Sequence, residues 1–355
     1  VTMRKQCRYR NHIASTCSSA RDQRRTRSIR RCSNGRLNGW VKTIRRSTVS
    51  RSTSVQIKQI GPGFVGEASG LDISSPLTAD DVAAINAGMD EHAVLIFRDQ
   101  SLTNDQQVAF TNALGRLEDV VATSLRSADD NRLPAVFADV SNLDKDNNPF
   151  ALDDRRRLFA IGNRLWHSDS SFKVIPARYS LLYSHSVTSK GGNTEFASMR
   201  MAYDALDQET KDLVEDLVCE HSQIYSRQKL GFTDFTPEER ERFKPVLQRL
   251  VRTHPSTGKK SIFLSSHAGT ILGWPTPEAR AFLLDLTEHA TQREFTYAHK
   301  WRVGDLVMWD NQQTMHRSRP YPHNEARDMR RTTLAGAAPT VDQETASRRT
   351  VQAAQ

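Results

Sequence analysis

Short apolar runs govern what this chain can fold into. AVLIFRDQ (93–100), RYSLLYSHSV (178–187), NTEFASM (193–199), SIFLSSH (261–267), REFTYAHKW (293–301) and GDLVMWDN (304–311) are each of strand length. They are rich in β-branched and aromatic residues and are bounded by turn formers. Upstream, VQIKQIGPGFVGEASGLDI (55–73) alternates like two strands around a Gly-Pro-Gly turn, and the folded domain is expected to start at Val55. Helical patterns are fewer. LTADDVAAINAGMDEH is expected to be capped by Thr78, and LTNDQQVAFTNALGRL by Thr103, with Gly115 closing it. YDALDQETKDLVEDLVCEH reads as one amphipathic helix, FTPEERERF as a short one, and PTPEARAFLLDLTEHA as a helix opened by proline. Residues 125–160 are polar and patternless, a loop or lid. Strands without regular βαβ alternation point to a mainly β protein with flanking helices, a jelly roll or barrel with antiparallel strands.

The net charge of +9 suggests nucleic acid at first sight, but its distribution argues otherwise. Of 50 Lys and Arg, 15 lie in residues 1–54 beside a single acid, Asp22, which leaves 35 basic and 40 acidic residues in 55–355. The body is therefore mildly acidic. The leader, with RDQRRTRSIRRCSNGR at its centre, has no apolar periodicity and is expected to be disordered, as is the tail over 341–355. It fits a transit peptide, a nucleic-acid arm, or translated sequence upstream of a misplaced start, and Val1 favours the third. No apolar run reaches about 18 residues, so no membrane helix is expected. Cys7, Cys17 and Cys32 fall in the leader and only Cys219 in the body, which speaks against a disulfide framework and for a reducing, cytoplasmic compartment; a functional leader would mean an organelle instead.

Chemistry concentrates at LWHSDSSF (165–172). In an extended segment residues i and i+2 share a face, so His167 and Asp169 would hold one object between them. His12, His92, His221 and His289 sit in the leader or in helical stretches and call for no functional reading. His316 stands apart, because GDLVMWDNQQTMH delivers it just past the end of a buried strand. Two His and a carboxylate with open positions suit a non-haem Fe(II) centre, and catalytic zinc is the rival. A 2-oxo acid on such an iron would need a rigid cation for its far carboxylate, and Arg327 and Arg331 follow His316 at eleven and fifteen residues.

These residues sit in WHSDSSF, PARYSLLYS, GGNTEFASMRMAYDAL, RTHPSTGKK, HATQREF, VGDLVMWDNQQTMH and RDMRRTTLAG, and the set closely resembles the 2-oxoglutarate-dependent dioxygenases of the taurine/2,4-dichlorophenoxyacetate dioxygenase family over about residues 57–337. The phenoxyacetate branch looks nearer than the taurine branch. The resemblance implies a double-stranded β-helix, a jelly roll. It implies Fe(II) held by His167, Asp169 and His316, with 2-oxoglutarate as co-substrate and ascorbate as an aid. It further implies Thr194 and Arg327 on the distal carboxylate of 2-oxoglutarate. Arg331 is implied near its iron-bound end and near the anionic group of the prime substrate. The expected reaction consumes O2, releases succinate and CO2, and hydroxylates a small carboxylate-bearing substrate such as an aryloxyacetate. A sulfonate or alkyl sulfate is the alternative, and a homo-oligomer without nucleic-acid or membrane partners is expected. Trp166 and Phe172 are expected in the dry wall of the site, and His254, Trp309 and Asp310 in structural roles. Two departures stand out: Gln312 replaces an arginine often found after WDN, and no lysine lies near Thr123.

Overall fold

The computed structural model describes residues 55–119, 125 and 131–344, so the basic leader over 1–54 and residues 345–355 of the expected tail lie outside them. The strands are β1 (Gln56–Gln59), β2 (Val65–Ser69), β3 (Val94–Phe97), β4 (Ala138–Asp139), β5 (Tyr179–Ser184), β6 (Thr194–Ser198), β7 (Val218–His221), β8 (Val246–Arg249), β9 (Val251–Thr253), β10 (Lys260–Ile262), β11 (Ala268–Ile271), β12 (Thr296–His299), β13 (Leu306–Asp310), β14 (Thr314–Ser318) and β15 (Met329–Thr333). A seven-stranded sheet has the order β1-β2-β3-β13-β5-β15-β4, and a three-stranded sheet the order β12-β6-β14. Pairing is antiparallel except between β2 and β3, where helix Ala79–His92 makes the crossover that parallel strands require.

Side-chain alternation explains why β3, β5 and β13 read as unbroken apolar runs. One face of the large sheet packs Val94, Ile96, Leu182, Val307 and Trp309 against Phe196 of β6. The other face packs Leu95, Phe97, Leu181, Leu306 and Met308 against Ile85 and Met89 of helix Ala79–His92 and Phe110 and Leu114 of helix Asn104–Leu114. Both faces are covered, so both side-chain registers must be apolar. Behind β6 and β14, Ala197 and Met315 pack under helix Thr276–Ala290. The protein is thus mainly β with flanking helices.

Both expected helix starts form capping boxes. Thr78 accepts from Asp81 N at 3.1 Å while its own N–H donates to Asp81 Oδ2 at 3.0 Å. Thr103 and Gln106 repeat the pattern, and each such cap contributes about 1 kcal/mol.

Several expectations need correction. The single helix read over 203–221 is two helices, Met199–Asp204 and Gln208–Val214, followed by strand β7. Asp207 caps the second helix by accepting from Thr210 N at 2.8 Å. The VCEH segment pairs on both edges, with β8 and β11, so two ladders outcompete helical periodicity and His221 is a strand residue. The region read as a patternless loop over 125–160 contains β4, paired with β15, and helix Arg155–Ala160. Arg132 pins it by bonding Asp328 at 2.7 and 2.9 Å and Asp139 at 3.1 Å; residues 126–130 of that region lie outside the described ones. Within the tail expected from 341, Gln343 exchanges hydrogen bonds with Leu247 at 2.8 and 2.9 Å, so its described part is packed on β8. No helix among the described residues is long and apolar enough to cross a membrane.

Candidate metal centre

His316 follows the turn after β13 and lies within β14, opposite Phe196 of β6. Its ring sits 4.7 Å from that of Trp309, so the core between the sheets fixes its orientation. His167 joins β14 as an isolated bridge to His316, and the two backbones exchange hydrogen bonds of 3.0 and 2.8 Å. The chain then leaves the extended form: Asp169 begins a turn in which Ser170 has a φ of 54°. That left-handed residue is held where its hydroxyl donates to Glu118 at 2.8 Å. Strand alternation therefore does not bring His167 and Asp169 together; the turn does.

The result is a cluster in which one ligand atom from each of buried His167, Asp169 and His316 lies within 4.8 Å of the others. His167 Nε2 is 3.9 Å from Asp169 Oδ1, and His316 Nε2 is 3.7 Å from Asp169 Oδ2. His167 Nδ1 lies 2.8 Å from the Leu165 carbonyl, which requires its proton there and leaves the Nε2 lone pair facing the cluster. Burial is the main force lowering the pKa of both imidazoles, with the neighbouring Arg331 adding to it, so both are neutral donors. Burial alone would raise the pKa of Asp169, but Arg331, the two imidazoles and the Ser180 hydroxyl prevail and bring it down to about 2. Two neutral nitrogens and one carboxylate in a buried pocket meet the requirements of a divalent metal centre.

Around this cluster stand residues that sequence reasoning missed. Ser180 of β5 donates to Asp169 Oδ2 at 2.7 Å, and Asn311 Nδ2 donates to Ser180 at 3.0 Å. Asn311 Oδ1 accepts from Asp169 N at 3.1 Å and from Trp309 Nε1 at 3.0 Å. The one available sign was a serine within the apolar run YSLLYS, placed on the face between the sheets. His254 pairs with Asp310 at 3.0 Å, both buried, consistent with the structural roles expected for His254, Trp309 and Asp310. Gln312 accepts from the half-buried Arg252 at 3.1 Å, so an arginine at 312 would set two cations against each other.

Thr194 and Arg327 both lie at the start of β6, Arg327 through the backbone just before it. Thr194 opens β6 and accepts from Trp301 Nε1 at 2.9 Å. Arg327 is buried, and it bonds the carbonyls of Val140 at 3.2 Å and of Gly192, two residues before Thr194, at 3.4 Å. No described carboxylate pairs with it, and burial lowers its pKa. Arg331 is engaged differently, since its Nη1 donates to Asp169 Oδ1 and its buried Nε has no partner. Phe172 lines the cavity beside His167 and Asp169, whereas Trp166 belongs to the core behind the second sheet, so only one of the two expected wall residues faces the site.

Comparison with known proteins identifies the family. The profile described as "Taurine catabolism dioxygenase TauD, TfdA family" matches residues 56–333, and the chain belongs to that family. The chain is 42% identical over 285 residues, 79% of its length and 97% of the relative's, to an alpha-ketoglutarate-dependent 2,4-dichlorophenoxyacetate dioxygenase of Cupriavidus pinatubonensis. It is 34% identical over 296 residues, 80% of its length and 96% of the relative's, to an (S)-phenoxypropionate/alpha-ketoglutarate-dioxygenase of Delftia acidovorans. A crystal structure of AAD-2 in complex with Mn(II) and N-oxalylglycine matches with a TM-score of 0.80 at 56% identity, covering 81% of this chain and 100% of that one. The likeness lies on the phenoxyacetate side of the family. The chain is a 2-oxoglutarate-dependent dioxygenase that uses Fe(II), O2 and a small organic substrate.

Proposed function

We propose that this enzyme hydroxylates a small carboxylate-bearing substrate of the aryloxyacetate type, with His167, Asp169 and His316 holding its iron. The observation behind this reading is the convergence of three buried ligand atoms within 4.8 Å, with the carboxylate kept ionised. The substrate class is supported by the activities named for the relatives from Cupriavidus pinatubonensis and Delftia acidovorans. Two sheets packed face to face, with β14 and the bridged His167 on one of them, fit a double-stranded β-helix.

Fe(II) with 2-oxoglutarate supplies O2 activation, with release of succinate and CO2, and the oxidising power for a substrate C–H bond. The chain's own groups bind, orient and exclude water. His167 Nε2 and His316 Nε2 offer lone pairs, and Ser180 and Asn311 hold Asp169 in position. Arg327 takes the distal carboxylate of 2-oxoglutarate as the partner its buried guanidinium lacks, with the Thr194 hydroxyl beside it. Arg331 stands at the iron-bound end, close to Asp169. No general base is required. Hydroxylation beside an ether oxygen gives a hemiacetal, which collapses to a phenol and glyoxylate. The region 131–160 walls the cavity with Leu133, Phe137 and Phe150, a lid over the substrate.

The dioxygenase domain begins at Val55, and the basic leader takes no part in turnover. A cytoplasmic setting and a homo-oligomeric working form belong to the same reading. The test is turnover with Fe(II), 2-oxoglutarate and O2 in the presence of 2,4-dichlorophenoxyacetate, taurine or an alkyl sulfate. The phenoxyacetate is expected to yield phenol and succinate in equal amounts. Succinate formation driven by taurine or the alkyl sulfate, and unaffected by any aryloxyacetate, would overturn the substrate class.

A further inference from the structure

Four arginines line the cavity beside the metal cluster, and three of them are already engaged by acids. Arg132 bonds Asp139 and Asp328, Arg156 bonds Asp154, and Arg331 bonds Asp169. Arg227, in helix Gln223–Gln228, is 4% exposed and has no carboxylate partner among the described residues. Its Nη1 donates to Ser226 Oγ at 2.9 Å, its Nη2 reaches Asn163 Oδ1 at 3.5 Å, and its buried Nε has no partner.

The surroundings of this guanidinium are shaped to hold it. It lies 4.3 Å from the centre of the Phe159 ring. Gly162 also lies against it, where a Cβ would come within 2.6 Å of both Arg227 Cζ and Nε, so a larger residue would displace the guanidinium. Burying a cation without a counter-charge is costly, and here burial pulls its pKa down to about 9. An anionic ligand entering the cavity would offset that cost.

We propose that Arg227 is the anchor for the carboxylate of the prime substrate, a role that rests on the aryloxyacetate reading and moves the anchor away from Arg331. The position suits that substrate class. In an aryloxyacetate the carbon to be oxidised is bonded directly to the carboxylate carbon, so the anchor must stand beside the metal. Arg227 lines the same cavity as His167 and Asp169: Ser226 Oγ bridges it to His267 Nδ1 at 3.0 Å, and the His267 ring lies 5.9 Å from that of His167. Phe172, 5.0 Å from His267, supplies an apolar surface for the aryl group. A planar fork matched to a planar carboxylate then selects acids over neutral analogues.

The test is anaerobic calorimetry on the enzyme loaded with Fe(II) and 2-oxoglutarate, titrated with 2,4-dichlorophenoxyacetate and separately with its neutral amide. Wild type should prefer the acid, and Arg227→Gln should weaken acid binding by roughly a hundredfold or more while leaving the amide nearly unchanged. Gly162→Ala, which crowds the guanidinium without removing it, should shrink the acid-to-amide ratio in the same direction. A merely structural role would weaken both ligands alike. An unchanged ratio in the Arg227 variant, beside a wild type that prefers the acid, overturns the anchor and leaves the substrate class standing. A wild type indifferent to the charge of the ligand overturns both.

Discussion

His167 and His316 face each other as an isolated antiparallel bridge, each backbone N–H donating to the other's carbonyl, and this pairing sets their rings 4.2 Å apart. Two ligands far apart in sequence are thus fixed by main-chain geometry, which side-chain substitutions nearby leave intact. The third ligand depends on side chains. Ser180→Ala removes the hydroxyl that holds Asp169 Oδ2, so Fe(II) affinity should fall by about 10- to 100-fold, as for other residues that orient a metal ligand. Equilibrium metal titration under anaerobic conditions reads this directly, and wild-type affinity in the variant would remove Ser180 from the site.

Arg327 offers a different handle, because its guanidinium is buried without an acid. Arg327→Gln should raise the KM for 2-oxoglutarate by roughly a hundredfold while Fe(II) affinity stays near wild type. Steady-state kinetics over a wide 2-oxoglutarate range separates the two effects. An unchanged KM would assign the distal carboxylate to another group.

Thr194 has two duties that can be separated by substitution. Thr194→Val leaves Trp301 Nε1 buried without its acceptor, at a cost of about 1–3 kcal/mol in stability, and also deprives 2-oxoglutarate of a hydroxyl. Thr194→Ser keeps the hydroxyl and should recover most of both losses. Urea denaturation and 2-oxoglutarate titration of the pair check this, and equal behaviour of Val and Ser would show that the hydroxyl is dispensable.

Acid sensitivity should trace in part to His221. Both of its ring nitrogens are buried without partners beneath Phe263, and burial pushes its pKa down to about 3. The unfolded chain takes up a proton there near pH 6.5, so stability is full above that value and is lost as pH falls towards the folded pKa. Between pH 7 and pH 5 the loss from this residue alone is on the order of 2 kcal/mol. His221→Leu should flatten that part of the profile, measured as denaturant midpoints at the two pH values; an identical slope would clear His221.

The metal ligands were legible because imidazoles and a carboxylate in strand-adjacent motifs are chemically distinctive, and the helix caps because Thr78 and Thr103 act locally. Other features depend on partners distant in sequence. β7 looked helical until both of its edges found strands, and Asp169 reaches the cluster through a turn that the His-X-Asp spacing does not reveal. Ser180 and Asn311 are common residues whose role appears only once β5 pairs with β13. Arg227 was indistinguishable from a surface charge on a short helix until Phe159 and Gly162 closed around it.

The central claim is that three side chains bind one iron, and anaerobic titration of Fe(II) into His167→Ala, Asp169→Ala, His316→Ala and wild type, followed by 2-oxoglutarate-dependent succinate production, tests it most directly. Wild type should bind one equivalent and form succinate, and each variant should lose both. Wild-type Fe(II) binding or succinate formation in any one of the three variants would contradict the assignment.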